Sequence, residues 1–173
     1  VKQPKTETRR DAVAGPRGTA LARAVALLSR REHSALELRS KLLQRGFEET
    51  EVDAALARLA ANGLQDDTRF AEAWVRSRAN SGQGPRKLQI ELSQHGLEPD
   101  QARQALQRAE AEADWDQRAL ELAQRRYPDG VCDPGQRRRL ADLLLRRGYS
   151  FEVMRTVLEQ LERARADEPS DFD

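Results

Sequence analysis

The chain has 173 residues, of which 38% are hydrophobic, 34% charged and 5% aromatic, and its 30 basic and 29 acidic groups leave a formal net charge of +1. So even a balance excludes a globally basic nucleic-acid coat, and the few aromatic and β-branched residues argue against a sheet protein. One cysteine, Cys132, rules out an internal disulfide framework, and with no apolar run of leader or membrane-spanning length the chain is expected to be soluble and cytoplasmic, with no membrane partner.

Residues 1–18 read as a flexible basic tail, with Lys2, Lys5, Arg9, Arg10 and Arg17 against Glu7 and Asp11. A first helix is expected over 19–31, capped by Thr19 and carrying Leu21, Val25 and Leu28 on one face. After "REHS", Ser34 and Glu37 have capping-box spacing and open a second helix, with Leu38 and Leu42 in line, that stops at Gly46 and Phe47. A third helix carries Leu56. Asp66 or Asp67 then opens a helix over 67–79 with Phe70 and Trp74. Past "NSGQGPRK", Pro85 stands at a helix start and Leu88 and Leu92 lead to Gly96 and Leu97. Pro99 starts the next helix, which bears Leu106. Asp114, with Gln117 three residues on, opens 115–126 with Trp115, Ala119 and Leu122. "YPDGVCDPGQ" breaks the chain, and Asp133 and Pro134 begin a helix running through Leu140 and Leu144 to Gly148 and Tyr149. Ser150 caps the last helix, with Leu158. Residues 166–173 are an acidic tail with Asp167, Glu168, Asp171 and Asp173.

Aligning Gly46, Gly96 and Gly148 exposes an internal repeat. Leu38, Leu88 and Leu140 stand eight residues before the glycine, Leu42, Leu92 and Leu144 four before, and Leu56, Leu106 and Leu158 ten after. The spacing predicts an all-α protein of three tandem three-helix repeats, about nine helices, over 19–66, 67–113 and 114–165. A unit this small buries little surface alone, so neighbours should share contacts in an elongated or curved array.

Chemistry is sparse. His33 and His95 have no Cys or His at metal-ligand spacing, and His95 occupies the place of Arg45 and Arg147, where a cation suits a helix C-terminus. Cys132 has no histidine nearby in sequence. "GQGPRK" lacks the spacing, hydroxyl and preceding strand of a phosphate loop, although its helix N-terminus with Arg86 and Lys87 suits a single phosphate oxygen. Phe70 and Trp74 suit either core or base stacking, and core is the commoner reading. No cofactor, metal or catalytic residue is expected.

What remains is arginine. Arg30, Arg31, Arg39, Arg45, Arg76, Arg86, Lys87, Arg126, Arg137, Arg138, Arg139, Arg146 and Arg147 are the candidate partner or DNA contacts. Many have an acid three or four residues away, as Lys41 has Glu37, which a solvated face explains. The set 137–139 with 146 and 147 encloses only Asp142, making the third repeat the best basic surface. The acidic tail could fold back and screen it.

The string "RREHSALELRSKLLQRGFEETEVDAALARLAANGLQDDTRFAEAWV", with "GPRKLQIELSQHGL" and "RRRLADLLLRRGYSFEVMRTVL", resembles the bacterial RecX family of RecA regulators across 19–163. Ser34, Glu37, Leu38, Leu42, Gly46, Asp67 and Phe70, with the repeat glycines Gly96 and Gly148, carry the resemblance. They read as caps and core, so they name a family without naming an interface. The resemblance implies a non-enzymatic, monomeric negative regulator that lies in the groove of the RecA–DNA filament and suppresses ATP hydrolysis, strand exchange and co-protease activity, with weaker, salt-dependent binding to single- or double-stranded DNA. The alternatives are a stand-alone helix-turn-helix-like DNA binder around "LSQHGLEPDQARQAL" and a generic helical scaffold.

Overall fold

The computed structural model of the chain describes residues 18–112 and 114–166. Apart from Gly18 and Ala166, the basic and acidic tails lie outside these residues, and with them the proposed screening of the third repeat. The described residues form nine helices and no strand: α1 (Ala20–Leu28), α2 (Ala35–Leu43), α3 (Glu49–Ala61), α4 (Asp67–Asn80), α5 (Pro85–Gln94), α6 (Pro99–Glu112), α7 (Trp115–Arg126), α8 (Pro134–Arg147) and α9 (Phe151–Ala166). In each successive three, the last helix packs against both of the others.

The repeat pattern acts through backbone and core together. Leu38, Leu42, Leu88, Leu92, Leu140 and Leu144 are all fully buried, each worth roughly 1.5–3 kcal/mol of transfer free energy. Gly46, Gly96 and Gly148 have φ of +83°, +81° and +92°. In all three turns the residue after the glycine donates its amide to the leucine four before it: Phe47 to Leu42, Leu97 to Leu92, Tyr149 to Leu144. That is the six-to-one bond of a Schellman ending, which satisfies a terminal carbonyl while folding the large side chain back over the helix. Phe47, Leu97 and Tyr149 are accordingly buried. Leu158 is buried, whereas Leu56 and Leu106 are only half-buried at the core margin.

Thr19, Ser34, Asp66, Asp114, Asp133 and Ser150 cap as side-chain acceptors, and Pro85, Pro99 and Pro134 start their helices. Two capping boxes are only half formed. Ser34 accepts the Glu37 amide, but the Glu37 carboxylate turns to Arg31, and Gln117 donates to Glu121 while Asp114 accepts from Asp116.

The stripes on the first helix of each repeat are shifted. Val25 is exposed and Trp74 and Leu122 are half-buried, while Ala20 and Ala24, Ala71 and Val75, and Ala119 and Ala123 fill the core. In the second repeat the facing third helix also presents alanine, Ala102, Ala105 and Ala109 on α6, and in the first α3 presents Ala55, whereas α9 presents Met154, Val157, Leu158 and Leu161. Small side chains on both sides allow close helix approach, and the larger residues move to the flank.

The core is divided unevenly. Residues of α1–α3 form one buried cluster, whereas α4–α9 share a second. Trp115, at the start of α7, is buried within that second cluster and so packs across a repeat junction.

Candidate functional site

Polar groups join the first repeat to the second. The Asp67 carboxylate leaves the capping of α4 to Asp66 and instead accepts the Ala35 amide at the N-terminus of α2, at 2.9 Å, and the Gln65 side chain at 2.7 Å. Arg69 reaches the Gly63 and Leu64 carbonyls and places Nε 3.0 Å from Glu32 Oε1. His33 is buried with Nδ1 3.0 Å from Glu37 Oε2, and Glu37 also holds Arg31 in a two-pronged pair at 2.5 and 3.1 Å. Burial lowers the His33 pKa despite Glu37. Burial alone would raise Glu37, but the bonds from Arg31 and the nearby His33 bring it below its ordinary value.

Beside this junction α4 presents Trp74. Its indole N–H donates to Glu91 at 3.0 Å, the Arg78 guanidinium lies 4.5 Å over its ring, and His95 stands edge-on at 4.4 Å. Phe70 meets both rings, at 5.6 Å from Trp74 and 5.0 Å from His95. Burial lowers the His95 pKa and so disfavours a cation at the end of α5, where the ring packs edge-on in an aromatic cluster. A cavity of about 280 Å³ opens here, lined by Arg31 and Glu32 from the first repeat and Phe70, Ala73, Trp74, Ser77 and Arg78 from α4. The Phe70–Trp74 pair was legible in the sequence, but the contributions of Glu32 and His95 depend on contacts between chain segments.

The second junction occupies the "GQGPRK" stretch. Gly84 donates to the Arg147 carbonyl at 2.8 Å and Arg86 donates to the Gly148 carbonyl at 3.1 Å, so the C-terminus of α8 plugs the N-terminus of α5. The Gly84 and Arg86 amides at the N-terminus considered for a phosphate are thus spent on carbonyls.

The arginines sort into occupied and open. Arg39 pairs with Glu49 and Asp53, Arg76 with Glu112, and Arg137 with Glu162 of α9. Arg137 thus leaves the open basic set, for which the nearby sequence held only Asp142. Arg45 caps the Lys41 carbonyl, Arg147 reaches the Ser81 carbonyl, and Arg126 lies 6.0 Å from the Tyr127 ring. Arg30, Arg86, Lys87, Arg138, Arg139 and Arg146 have no ion pair among the described residues. On α8, Arg138 and Arg146 share the face opposite the buried Leu140 and Leu144, with Asp142 between them. The macrodipole favours Arg146 at the helix end, but gives no such help to Arg138 and Arg139 near its positive start.

Among the described residues no cluster of three or more His, Cys, Asp or Glu could hold a metal ion, and no helix is long and apolar enough to cross a membrane. Cys132 is exposed.

Three family patterns match the chain in order: RecX first three-helix domain over 20–59, second over 66–106 and third over 112–158. The chain belongs to the RecX family. It is 49% identical over 138 residues to the regulatory protein RecX of Xanthomonas campestris pv. campestris strain B100, covering 79% of this chain and 84% of that one. It is 48% identical to the RecX of Stenotrophomonas maltophilia strain K279a, covering 79% and 83%. The crystal structure of RecX from Lactobacillus salivarius superposes with a TM-score of 0.68 at 22% identity, over 83% of this chain and 95% of that one, a likeness of fold. A second RecX crystal structure also gives 0.68, at 25% identity, over 81% and 71%.

Within this RecX fold, α6 is poorly equipped as a recognition helix. Gln101 accepts the Glu98 amide, Arg103 pairs with Asp100, and Arg108 pairs with Glu72 of α4. Of the side chains suited to base edges, Gln101 and Arg103 are already engaged, which leaves the exposed Gln104.

Proposed function

We propose that this chain is a negative regulator of RecA recombinase that lies in the groove of the RecA–DNA filament. Bound there, it suppresses ATP hydrolysis, strand exchange and co-protease activity. The observation that carries the reading is the match of all three RecX domains in order along one chain. The exposed face of α8 supports it, because Arg138, Arg139 and Arg146, which have no ion pair among the described residues, present guanidinium forks to acceptors on a partner. Regulation of this kind needs only binding, for which a repeat array offers many modest contacts.

Co-sedimentation with RecA filaments on single-stranded DNA tests the proposal. Retention of this chain at salt that abolishes its binding to the same DNA without RecA is expected. Equal salt sensitivity with and without RecA would instead favour a stand-alone DNA binder.

A further inference from the structure

One pole of the third repeat gathers arginines. Burial and the charges of Asp114 and Glu152 raise the Asp116 pKa, which places the starts of α7 and α9 together, as Glu51 of α3 meets the Ala20 amide of α1 at 2.8 Å in the first repeat. α8 turns back into α9 through Gly148 and Ser150, and Arg137 near its start pairs with Glu162 near the α9 end. The ends of α7 and α9 and the start of α8 therefore share one pole. It carries Arg125, Arg126, Arg138 and Arg139, all exposed and none in an ion pair among the described residues. Of the acids there, Glu162 holds Arg137 and Asp133 accepts the Gln136 amide as the α8 cap, which leaves Asp129 of the connecting loop. The Arg139 guanidinium folds back beside that cap: a methyl group on Gly135 would stand 2.9 Å from Asp133 Oδ1 and 3.6 Å from Arg139 Nη1. A cation is thus set at the positive end of the α8 macrodipole, where an anion is favoured.

α9 delivers the chain to this pole at Ala166, and Asp167, Glu168, Asp171 and Asp173 follow directly. Residues 167–173 reach roughly 23–25 Å when extended, against about 10–12 Å for the width of a helix, so they can cross the start of α8 from the α9 flank. We propose that this acidic segment docks across the start of α8, its carboxylates paired with Arg138 and Arg139, and screens the basic face until an anionic partner displaces it. Exposed ion pairs are individually weak and screened by salt, but the tether supplies a high local concentration of carboxylate. The consequence for filament binding rests on the function proposed above. The contact does not, and its test omits RecA.

A nitroxide on Cys132, the one cysteine, exposed and next to the α8 cap, reports the contact in the full chain. At low salt it should broaden the amide resonances of residues 171–173, and high salt, or Arg138→Ala with Arg139→Ala, should relieve that broadening. Neutralising the segment by Asp167→Asn, Glu168→Gln, Asp171→Asn and Asp173→Asn should tighten the binding of a short heparin fragment several-fold. That gain should vanish when Arg138 and Arg139 are alanine. Broadening that is absent, or indifferent to both salt and the arginine changes, would overturn the contact. Unchanged heparin affinity would overturn the screening. So would a gain that survives the alanine pair, which would be an effect of overall charge.

Discussion

Gly84 lies directly against Gly148, across 64 residues of sequence. A methyl group on Gly84 would stand 2.6 Å from the Gly148 carbonyl carbon, and one on Gly148 would stand 2.4 Å from Lys87 Cβ. These contacts lock the α5 start onto the α8 end. Only Gly148 has positive φ; Gly84, at −91°, is a glycine for space alone.

That distinction separates two costs of replacing glycine. Gly46 has φ +83° with nothing near its missing side chain, so Gly46→Ala should cost roughly 1 kcal/mol of left-handed strain. Gly84→Ala carries no such strain but meets backbone at sub-van der Waals distance, and should cost about 1–3 kcal/mol or more. Gly96→Val adds branching at φ +81° to a position where Leu36 already lies 3.0 Å from an added methyl carbon, and should exceed Gly46→Ala. Urea unfolding of the three variants gives the order, and a Gly84→Ala curve matching wild type would refute the packed junction.

Asp67 ties the first two repeats by capping a helix that is not its own. Asp67→Ala leaves the Ala35 amide without its side-chain acceptor, and a loss of about 1–2 kcal/mol is expected. Amide exchange at Ala35 should accelerate in the variant. Unchanged exchange there would show that the cap contributes nothing to the junction.

Buried His33 and half-buried His95 make stability depend on pH. Both folded pKa values lie below the ordinary 6.5, so the unfolded chain binds protons more readily than the folded one. Their contribution is complete above about pH 6.5 and declines as pH falls through that value toward the folded ones. The melting temperature should therefore drop between neutral and mildly acidic pH. A double His33→Gln, His95→Gln variant should show a flatter profile across that window, and an equally steep one would assign the loss to other groups.

These predictions differ in how far a sequence could anticipate them. The Gly46, Gly96 and Gly148 endings and most caps are local, set by residues within one turn, and the leucine spacing marks the helix face it buries. Gly84 also sits in a plain turn signal, but its reason is a carbonyl 64 positions away that no local pattern encodes. Arg137 looked open because Glu162 belongs to another helix. His95 looked cationic because its neighbours in the repeat alignment are arginines, whereas Phe70 and Trp74 surround it only after folding. Local geometry was legible, while partner choice was not.

The α8 face links the fold to its proposed role. Arg138→Ala, Arg139→Ala and Arg146→Ala together remove solvent-exposed groups with no ion pair among the described residues, so the melting temperature should hardly move. Filament binding should weaken, and the salt dependence of any residual DNA binding should become shallower. Replacing Arg39, which pairs with Glu49 and Asp53, is the control expected to leave binding intact.

The most direct measurement is the ATPase rate of a preformed RecA filament on single-stranded DNA, titrated with this chain and with the triple α8 variant. The account predicts inhibition by the wild type at concentrations well below those that coat bare DNA, and weaker inhibition by the equally folded variant. Undiminished hydrolysis by the cognate RecA at saturating amounts of the chain would contradict it.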